Sequence, residues 1–441
     1  MRAIRGVTVS TLVIMGVSLT PATSSAQENA QALRQEMDQL RRDFEALRAQ
    51  YDERLTGLEQ RLATLEGAPP PKTPEAAAAQ PTVQVPPGAA GAGGPAGALP
   101  VYGAGIAGSK IYNPDIAVIG DFLGAAGTNT VAPPPAFEMH ESEASFQAVV
   151  DPYARADFFI SFGESGVNLE EGYMTFTSLP GGLLTRVGKM RAAFGKVNTL
   201  HNHVLPWTDR PLVTQNLVGG EDGISDAGFS VARLIPNPWL FLEVTGQVFR
   251  GDSGSETSPL YQSSTRSDLS YVAHLRAYQD ITEDSNVDVG FSYSTGHNGL
   301  PATPNAPETS TLTTSLYGID ATYRWRPLQR SIYRSFIGRS EVVWSRRDQP
   351  NGLQSGSGFY VSGDYQFARR WFAGARYDRS ARAYNASLID RGGSLTMTYW
   401  PSEFSQVRGQ FRRTNYGTGE IANELLFQFQ FSIGAHGAHP F

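Results

Sequence analysis

From residue 111 onward, the chain consists of about sixteen short segments in which apolar and polar residues alternate. In residues 317–325, for example, every second residue is apolar, and the residues between them are Gly318, Asp320, Thr322 and Arg324. Successive side chains of a β-strand point to opposite faces, so each segment predicts a strand with one apolar and one polar face. The predicted strands cover residues 112–123, 137–150, 153–162, 169–178, 183–192, 223–234, 239–249, 267–279, 286–295, 315–326, 335–345, 358–367, 371–379, 392–399, 405–413 and 423–433.

The connections between these segments alternate in length. Links after even-numbered strands are short and turn-like, such as "DP", "LPGG" and "IPNP". Links after odd-numbered strands are mostly longer and polar, as in residues 251–266, 296–314, 346–357 and 380–391. Short turns on one rim and long loops on the other are typical of bacterial outer-membrane barrels, which have an even strand number. A water-soluble sandwich gives no reason for this alternation.

The strand number also indicates which face points inward. Sixteen strands enclose a lumen too wide for side chains to fill, so an apolar interior would leave an apolar cavity exposed to water. We therefore expect the apolar faces, including Phe427, Phe429 and Phe431, to meet lipid and Gln428 and Gln430 to face a watery channel. The predicted fold is all-β: a 16-stranded antiparallel transmembrane β-barrel preceded by an N-terminal α-helical coiled coil.

Composition excludes several protein classes. The 441-residue chain has no cysteine and, beyond its N-terminus, no apolar run close to the roughly 18 to 20 residues of a membrane-spanning helix. Its net charge of -6 provides no global basic surface for nucleic acid, so no nucleic-acid partner is expected. Residues 1–26 have the basic start, apolar centre and small-residue end of a secretory signal peptide.

The segment between the signal and the barrel predicts a coiled coil and a linker. Its apolar residues Leu33, Met37, Leu40, Phe44 and Leu47 are spaced alternately four and three apart, which is the seam pattern of a coiled coil over residues 27–66. The alternative is a single amphipathic helix packed on a domain. Residues 67–110 are rich in Pro, Ala and Gly and predict a linker. The barrel is predicted over residues 111–435, with a C-terminal tail at 436–441.

Residues 194–222 form the third predicted loop on the long-loop rim. Their high apolar content favours packing over disorder, and we expect the loop to narrow the barrel; an external cap or a subunit contact is the alternative. The candidate constriction residues are His201, His203, Trp207, Asp209 and Arg210. His201 and His203 are also candidate ligands for Zn or Cu, although loop histidines often contact only carbonyls or each other.

Charged residues on the polar faces are candidate pore-lining residues. Arginines that face carboxylates create a transverse field across a pore, which predicts a mild anion preference; mutually paired, scattered charges are the alternative. No nucleophile elbow, phosphate-binding loop or dinucleotide fingerprint stands out, so neither an enzyme nor a cofactor is expected. The candidate pore-lining residues are Arg155, Asp157, Arg276, Asp320, Arg324, Arg339, Glu341, Arg376, Asp378, Arg408 and Arg412.

Short patches add a family resemblance to this architecture. The stretches "NPDIAVIGDF", "VDPYARADFFISF", "KMRAAFGKVNTLHNHVLPWTDRP" and "LLFQFQFSIGAHGAHPF" resemble trimeric porins of the phosphate-selective-porin-like superfamily that carry an N-terminal periplasmic coiled coil. The resemblance implies a homotrimer in the Gram-negative outer membrane, in contact with its lipid. It also implies a water-filled channel for small hydrophilic solutes, with a third loop that folds inward. The alternatives are a non-conducting structural or receptor barrel tethered to periplasmic partners by the coil, or a metal-related uptake barrel.

Overall fold

The computed structural model describes residues 114–163, 166–255, 258–299 and 312–434. Sixteen antiparallel strands form a closed barrel in which each strand pairs with its neighbours in the chain and the last pairs with the first. Two further short strands form a separate sheet. The strands are β1 (Asp115–Thr128), β2 (Phe137–Asp151), β3 (Ala154–Gly163), β4 (Gly166–Leu179), β5 (Leu183–Arg191), β6 (Ser225–Leu234), β7 (Phe241–Phe249), β8 (Ser253–Ser255), β9 (Ser258–Tyr261), β10 (Ser270–Thr282), β11 (Ser285–His297), β12 (Thr313–Trp325), β13 (Ser335–Arg347), β14 (Gln354–Ala368), β15 (Trp371–Arg382), β16 (Asn385–Ser402), β17 (Ser405–Asn415) and β18 (Ile421–Gly434).

The predicted all-β antiparallel barrel of sixteen strands is thus confirmed. Closure is made by β1 and β18, where Gly120 lies opposite Phe431 and Asp121 opposite Gln430. A closed barrel pairs every strand edge, which an open sheet in lipid could not do. The predicted signal peptide, coiled coil, linker and tail lie outside the described residues.

The alternation of side chains in β18 follows the expected sidedness. Phe427 and Phe429 are exposed on the outer face, whereas Gln428 and Gln430 retain only 1% and 2% of their accessible surface inside the barrel. The same division holds in β12, where Tyr317 and Ile319 point out and Asp320 and Thr322 point in. The apolar residues therefore cover the outer surface.

Two predicted loops contain more strand structure than expected. Residues 380–391 were expected to form a long connection, but β15 and β16 extend into it and only residues 383–384 join them. Ala381 pairs with Ile389 and, after a register shift, Arg382 pairs with Asn385, so the ladder continues where the sequence no longer alternates regularly. Predicted loop 251–266 contains β8 and β9, which are too short to show an alternation of apolar and polar residues.

The connection between β5 and β6, residues 192–224, folds into the barrel; we call it the inserted loop. It contains the 3-10 helices Val197–Thr199 and Asn202–Val204 and the helix α1 (Leu212–Leu217), and a further 3-10 helix, Leu328–Arg330, lies between β12 and β13. We call the rim that carries the inserted loop the loop rim and the opposite one the turn rim. Among the described residues, no helix is both long and apolar enough to cross a membrane.

The main apolar core lies inside the barrel near the loop rim. Loop residues such as Phe194, Trp207 and Leu217 pack with inward-facing strand residues such as Leu316 and Val343, and each of these side chains is at most 1% exposed. The expected polar interior is therefore interrupted at this level, because the inserted loop needs an apolar surface to pack against. The β8–β9 sheet adds Leu260 and Tyr261 to the same core.

Candidate functional site

The inserted loop is held by hydrogen bonds to polar side chains of the barrel wall. The backbone N–H groups of Lys196 and Val197 donate to Oε2 of Glu341, at 3.1 and 3.2 Å. Farther along the loop, the N–H of Leu212 donates to Oδ1 of Asp378 at 3.1 Å. Buried backbone groups require such partners, and the inward-facing side chains of the wall supply them to this loop.

Asp209 connects the inserted loop to two wall arginines. Its Oδ2 accepts from Arg376 Nη2 at 2.7 Å and from Arg412 Nη1 at 2.9 Å. Arg376 also donates to Asp378, and Arg412 to Glu424, so alternating charges form a continuous chain. Burial raises the pKa of the Asp209 carboxyl, but the two guanidinium groups outweigh it and hold that pKa below its usual value of 3.8.

Trp207 and Arg210 have different surroundings in the loop. The Trp207 ring meets Tyr360 edge-on at 5.3 Å and lies under the Arg376 guanidinium, 4.7 Å from it. Arg210 donates to the carbonyls of Val197 and Leu200, so it fastens the loop to itself. In these contacts the Trp207 side chain reaches the barrel wall at β14 and β15, whereas the Arg210 side chain stays within the loop.

The predicted pore-lining residues are brought together mostly in ion pairs. Arg276 Nη2 lies 2.7 Å from Asp288, and Lys196 of the inserted loop is 3.2 Å from the same carboxylate. Arg155 pairs with Asp157, Arg339 with Asp364, and Arg324 approaches Asp288 at 3.9 Å. Arg408 donates to the carbonyl of Leu205 and to Gln428. Asp320 Oδ2 is buried and has no hydrogen-bond partner among the described residues.

These interactions bear on the expected transverse field. The side chains of Arg155, Arg324, Arg339 and Arg412 keep 19 to 28% of their exposure, whereas Arg376 keeps 1%. The accessible arginines each have a carboxylate within 4 Å, so much of their charge is locally balanced. The anion preference stays a prediction.

The two loop histidines meet carboxylates that sequence reasoning did not single out. His201 Nδ1 lies 2.6 Å from Glu143 Oε2, and its Nε2 lies 2.7 Å from Glu171 Oε1. Glu170 approaches Nδ1 at 3.2 Å, and His203 Nδ1 is 3.7 Å from Glu143. We call Glu143, Glu170, Glu171, His201 and His203 the histidine cluster. The two imidazoles have different charges.

Opposing effects set the charge of each imidazole. Burial lowers the pKa of His201, but Glu143, Glu170 and Glu171 more than reverse this and raise it well above 6.5. Burial lowers the pKa of His203 and prevails over nearby carboxylates. His201 is therefore a cation at neutral pH and His203 is neutral.

Two β-bulges place the acidic residues of this region on the inner face. The register of β2 shifts beside Asp121, which leaves His140 as an extra residue next to inward-facing Glu141. The register of β4 shifts beside Phe159, which leaves Glu170 as an extra residue next to inward-facing Glu171. A bulge lets two consecutive residues face the same side, which a regular strand does not allow. In the sequence, the acidic stretches "EMHESE" and "LEEG" were the signal that could have indicated this group of carboxylates.

Several of these groups are close enough to share a metal ion. The ligand atoms of Glu143, His201 and His203 lie within 4.8 Å of one another, and those of His140, Glu141 and Glu221 form a second such group. Glu141, Glu143 and Glu170 form a third, which joins the first two. Imidazole and carboxylate together suit Zn²⁺ and related divalent ions. Metal binding by His201 and His203 stays a prediction.

Comparisons with known proteins agree with the observed barrel. No family model matches the chain. OprB of Pseudomonas putida has a TM-score of 0.52 at 11% identity, over 74% of this chain and 94% of that one. OmpT of Vibrio cholerae and the anion-selective porin of Comamonas acidovorans each reach 0.49, at 11% and 9% identity, over 73% and 72% of this chain and 97% and 98% of theirs. The likeness to OprB shows the barrel fold alone.

A sequence relative carries more information about kinship. An uncharacterised protein of Aquifex aeolicus (strain VF5) is 30% identical over 336 residues, which are 69% of this chain and 70% of that protein. Such identity over two thirds of both chains is far above the level shared with the solved barrels. The chain therefore belongs to the same family as this Aquifex aeolicus protein.

Proposed function

We propose that the protein is a porin of the Gram-negative outer membrane that lets small hydrophilic solutes diffuse passively. The observation that carries this proposal is a closed sixteen-stranded barrel with an apolar outer face and charged side chains inside. Lipid would cover the outer face, and water and ions would meet the inner one. The known barrels of similar fold, described above, support this reading.

The inserted loop would set the width of the path. Its hydrogen bonds reach inward-facing residues of β2, β11, β13, β15 and β17, so it contacts the wall on opposite sides of the barrel. In the proposed channel, a loop with such anchors would leave solutes a narrow route between side chains. Transport of small ions is consistent with this geometry, and large solutes would be excluded.

Assembly is the finer part of the proposal. The coil predicted at residues 27–66 and the resemblance to trimeric porins support a homotrimer with the coil in the periplasm, within the phosphate-selective-porin-like superfamily. A mild preference for anions is the proposed selectivity. It depends on the arginines that keep solvent contact, such as Arg324 and Arg339.

One observation favours a second candidate, a non-conducting structural or receptor barrel. The apolar core formed by the inserted loop and the wall is almost completely buried, as in a protein interior. If this core blocks the lumen permanently, the barrel would not conduct. Its coil would then serve to tether the membrane to periplasmic partners.

Conductance in planar lipid bilayers separates the two candidates. We expect the purified full-length protein to give stable openings in three equal steps, and a reversal potential in a salt gradient that favours anions. A protein that inserts but never conducts would support the structural barrel. Openings with a cation preference would leave the channel in place and remove the anion selectivity.

A further inference from the structure

The histidine cluster joins groups from three separate parts of the chain. Glu143 comes from β2, Glu170 and Glu171 from β4, and His201 and His203 from the inserted loop. The five side chains are all 3 to 11% exposed. Such a concentration of buried ionisable groups is costly unless their charges are compensated.

The hydrogen bonds around His201 are arranged like those around metal-bound histidines. Metal-bound histidines usually donate their second ring N–H to a carboxylate, which fixes the tautomer. Nε2 of His201 lies 2.7 Å from Glu171, and Glu171 in turn accepts from the backbone N–H of Arg191 at 2.8 Å. This leaves Nδ1 of His201 directed at Oε2 of Glu143, and Nδ1 of His203 lies 3.7 Å from the same oxygen.

The distances suit a bound ion with small adjustments. A tetrahedral site with bonds of about 2.0–2.2 Å separates its ligand atoms by roughly 3.4 Å. Glu143 Oε2 lies 2.6 Å from one imidazole nitrogen and 3.7 Å from the other, which brackets that value. Because the chain has no cysteine, the ligands are imidazole and carboxylate only, the set that suits Zn²⁺ and similar divalent ions.

A second group of ligands leads from this cluster to a more exposed position. His140 Nε2 lies 2.8 Å from Glu221, and Asn202 donates to both Glu141 and Glu221. The Glu221 side chain is 45% exposed, whereas that of Glu143 is 3% exposed. Glu141 lies within reach of Glu143 and Glu170, so carboxylates continue from the accessible group to the buried one.

We propose that Glu143, His201 and His203 bind one divalent transition-metal ion, which reaches them through His140, Glu141 and Glu221. The ion takes the place of the proton on His201 Nδ1, and that proton is released to water. Glu170 and Glu171 balance the added charge together with Glu143. The bound ion links the inserted loop to β2, and in this respect the inference rests on the proposed role of that loop in the channel.

The ligand is tested with Zn²⁺ on the full-length protein in detergent. The parent for this test carries His436→Asn and His439→Asn, because the tail histidines could bind Zn²⁺ themselves. Isothermal titration after treatment with a chelator is expected to give one Zn²⁺ per chain. Glu143→Gln and His203→Gln should each weaken binding at least tenfold, and His274→Gln, on β10 and outside the cluster, should leave it unchanged.

Two further readouts keep the result interpretable. Heat-modifiable gel mobility shows whether each variant retains its barrel, and His203→Gln is the cleaner variant because His201 keeps its carboxylate partners. Zn²⁺ should also lower single-channel conductance in the parent and have no effect in His203→Gln. Absence of stoichiometric binding, or equal affinity in the parent, Glu143→Gln and His203→Gln, would overturn the site and leave His201 as a counter-ion for its carboxylates.

The outcomes for the metal site and for the channel are independent. A protein that conducts but does not bind Zn²⁺ at this cluster refutes the metal site and leaves the porin intact. A protein that binds Zn²⁺ through Glu143 and His203 but never conducts supports the metal site and refutes the porin.

Discussion

At the scale of single residues, Asp209 connects the inserted loop to the barrel wall. It lies between two arginines that each have a second carboxylate, Asp378 for Arg376 and Glu424 for Arg412. The Asp209 side chain is 13% exposed, so its ion pairs are only weakly screened by water. Removal of its charge would leave two guanidinium groups facing each other at a site built around an anion.

We therefore expect Asp209→Asn to lower the free energy of unfolding by roughly 3 kcal/mol and to raise single-channel conductance, because the loop loses its central anchor. Denaturant unfolding in detergent measures the first effect and bilayer recording the second. Glu283→Gln, in the exposed turn between β10 and β11, is the matched control and should stay within about 0.5 kcal/mol of the wild type. Equal stability of the two variants would contradict the anchoring role.

The stabilisation by Asp209 also depends on pH. Its pKa in the folded protein is depressed from the usual 3.8, so its contribution is present in full above that value. It is lost as the pH falls through the folded pKa, where the carboxylate becomes protonated. The difference in unfolding free energy between wild type and Asp209→Asn should be constant from pH 7 to about 5 and shrink in stronger acid. A difference that already disappears near pH 6 would exclude this ion pair as its source.

At the scale of elements, the inserted loop is closed at its base by Asn198. The Asn198 side chain donates to the carbonyls of Ala192 and Ile224 and accepts from the Ile224 N–H at 2.8 Å, so it joins the two ends of the loop. The neighbouring Gly223 has a φ of 64°, and a Cβ there would collide with the Asn198 amide. The closed base of the inserted loop thus depends on the Asn198 side chain and on a glycine at position 223.

Asn198→Ala is expected to loosen the inserted loop without opening the barrel. The Ile224 N–H would lose its partner, at a cost of about 1–3 kcal/mol, while both carbonyls keep one backbone donor each. Hydrogen exchange should become faster in residues 192–224 and remain unchanged in β15 to β18. Asn415→Ala, at the exposed end of β17, is the control. Unchanged exchange in the loop would show that the wall contacts alone hold it.

The strands were predictable from sequence because alternation is a local signal. The bulges beside His140 and Glu170 were not, because a single extra residue shifts the pattern by one position and resembles ordinary strand irregularity. For the same reason the partners of His201 were missed, although the histidine itself was singled out. Asp209 and its partner Arg412 are 203 positions apart, a contact that only barrel closure brings about.

At the scale of the whole molecule, the barrel has two apolar surfaces with different partners. The outer face is exposed and carries side chains such as Phe411 and Phe427, whereas the inner one is confined to the loop rim and covered by the inserted loop. The polar interior contains ion pairs between strands, such as Arg276 with Asp288, and ion pairs between the wall and the inserted loop, such as Arg376 with Asp209. The inserted loop therefore contributes both to closure of the lumen and to the stability of the barrel.

The last prediction tests where the outer face lies. Phe427 is near the middle of β18, opposite Gly124 and Gly409, and is 44% exposed; Ile421 begins the same strand at the loop rim and is 50% exposed. In a lipid bilayer Phe427→Arg should cost about 2–4 kcal/mol of unfolding free energy, because it buries a charge at the midplane, whereas Ile421→Arg should cost about 0–1 kcal/mol. Denaturant unfolding in lipid vesicles measures both. Equal costs at the two depths, together with a protein that stays soluble without detergent, would show that water and not hydrocarbon covers this face.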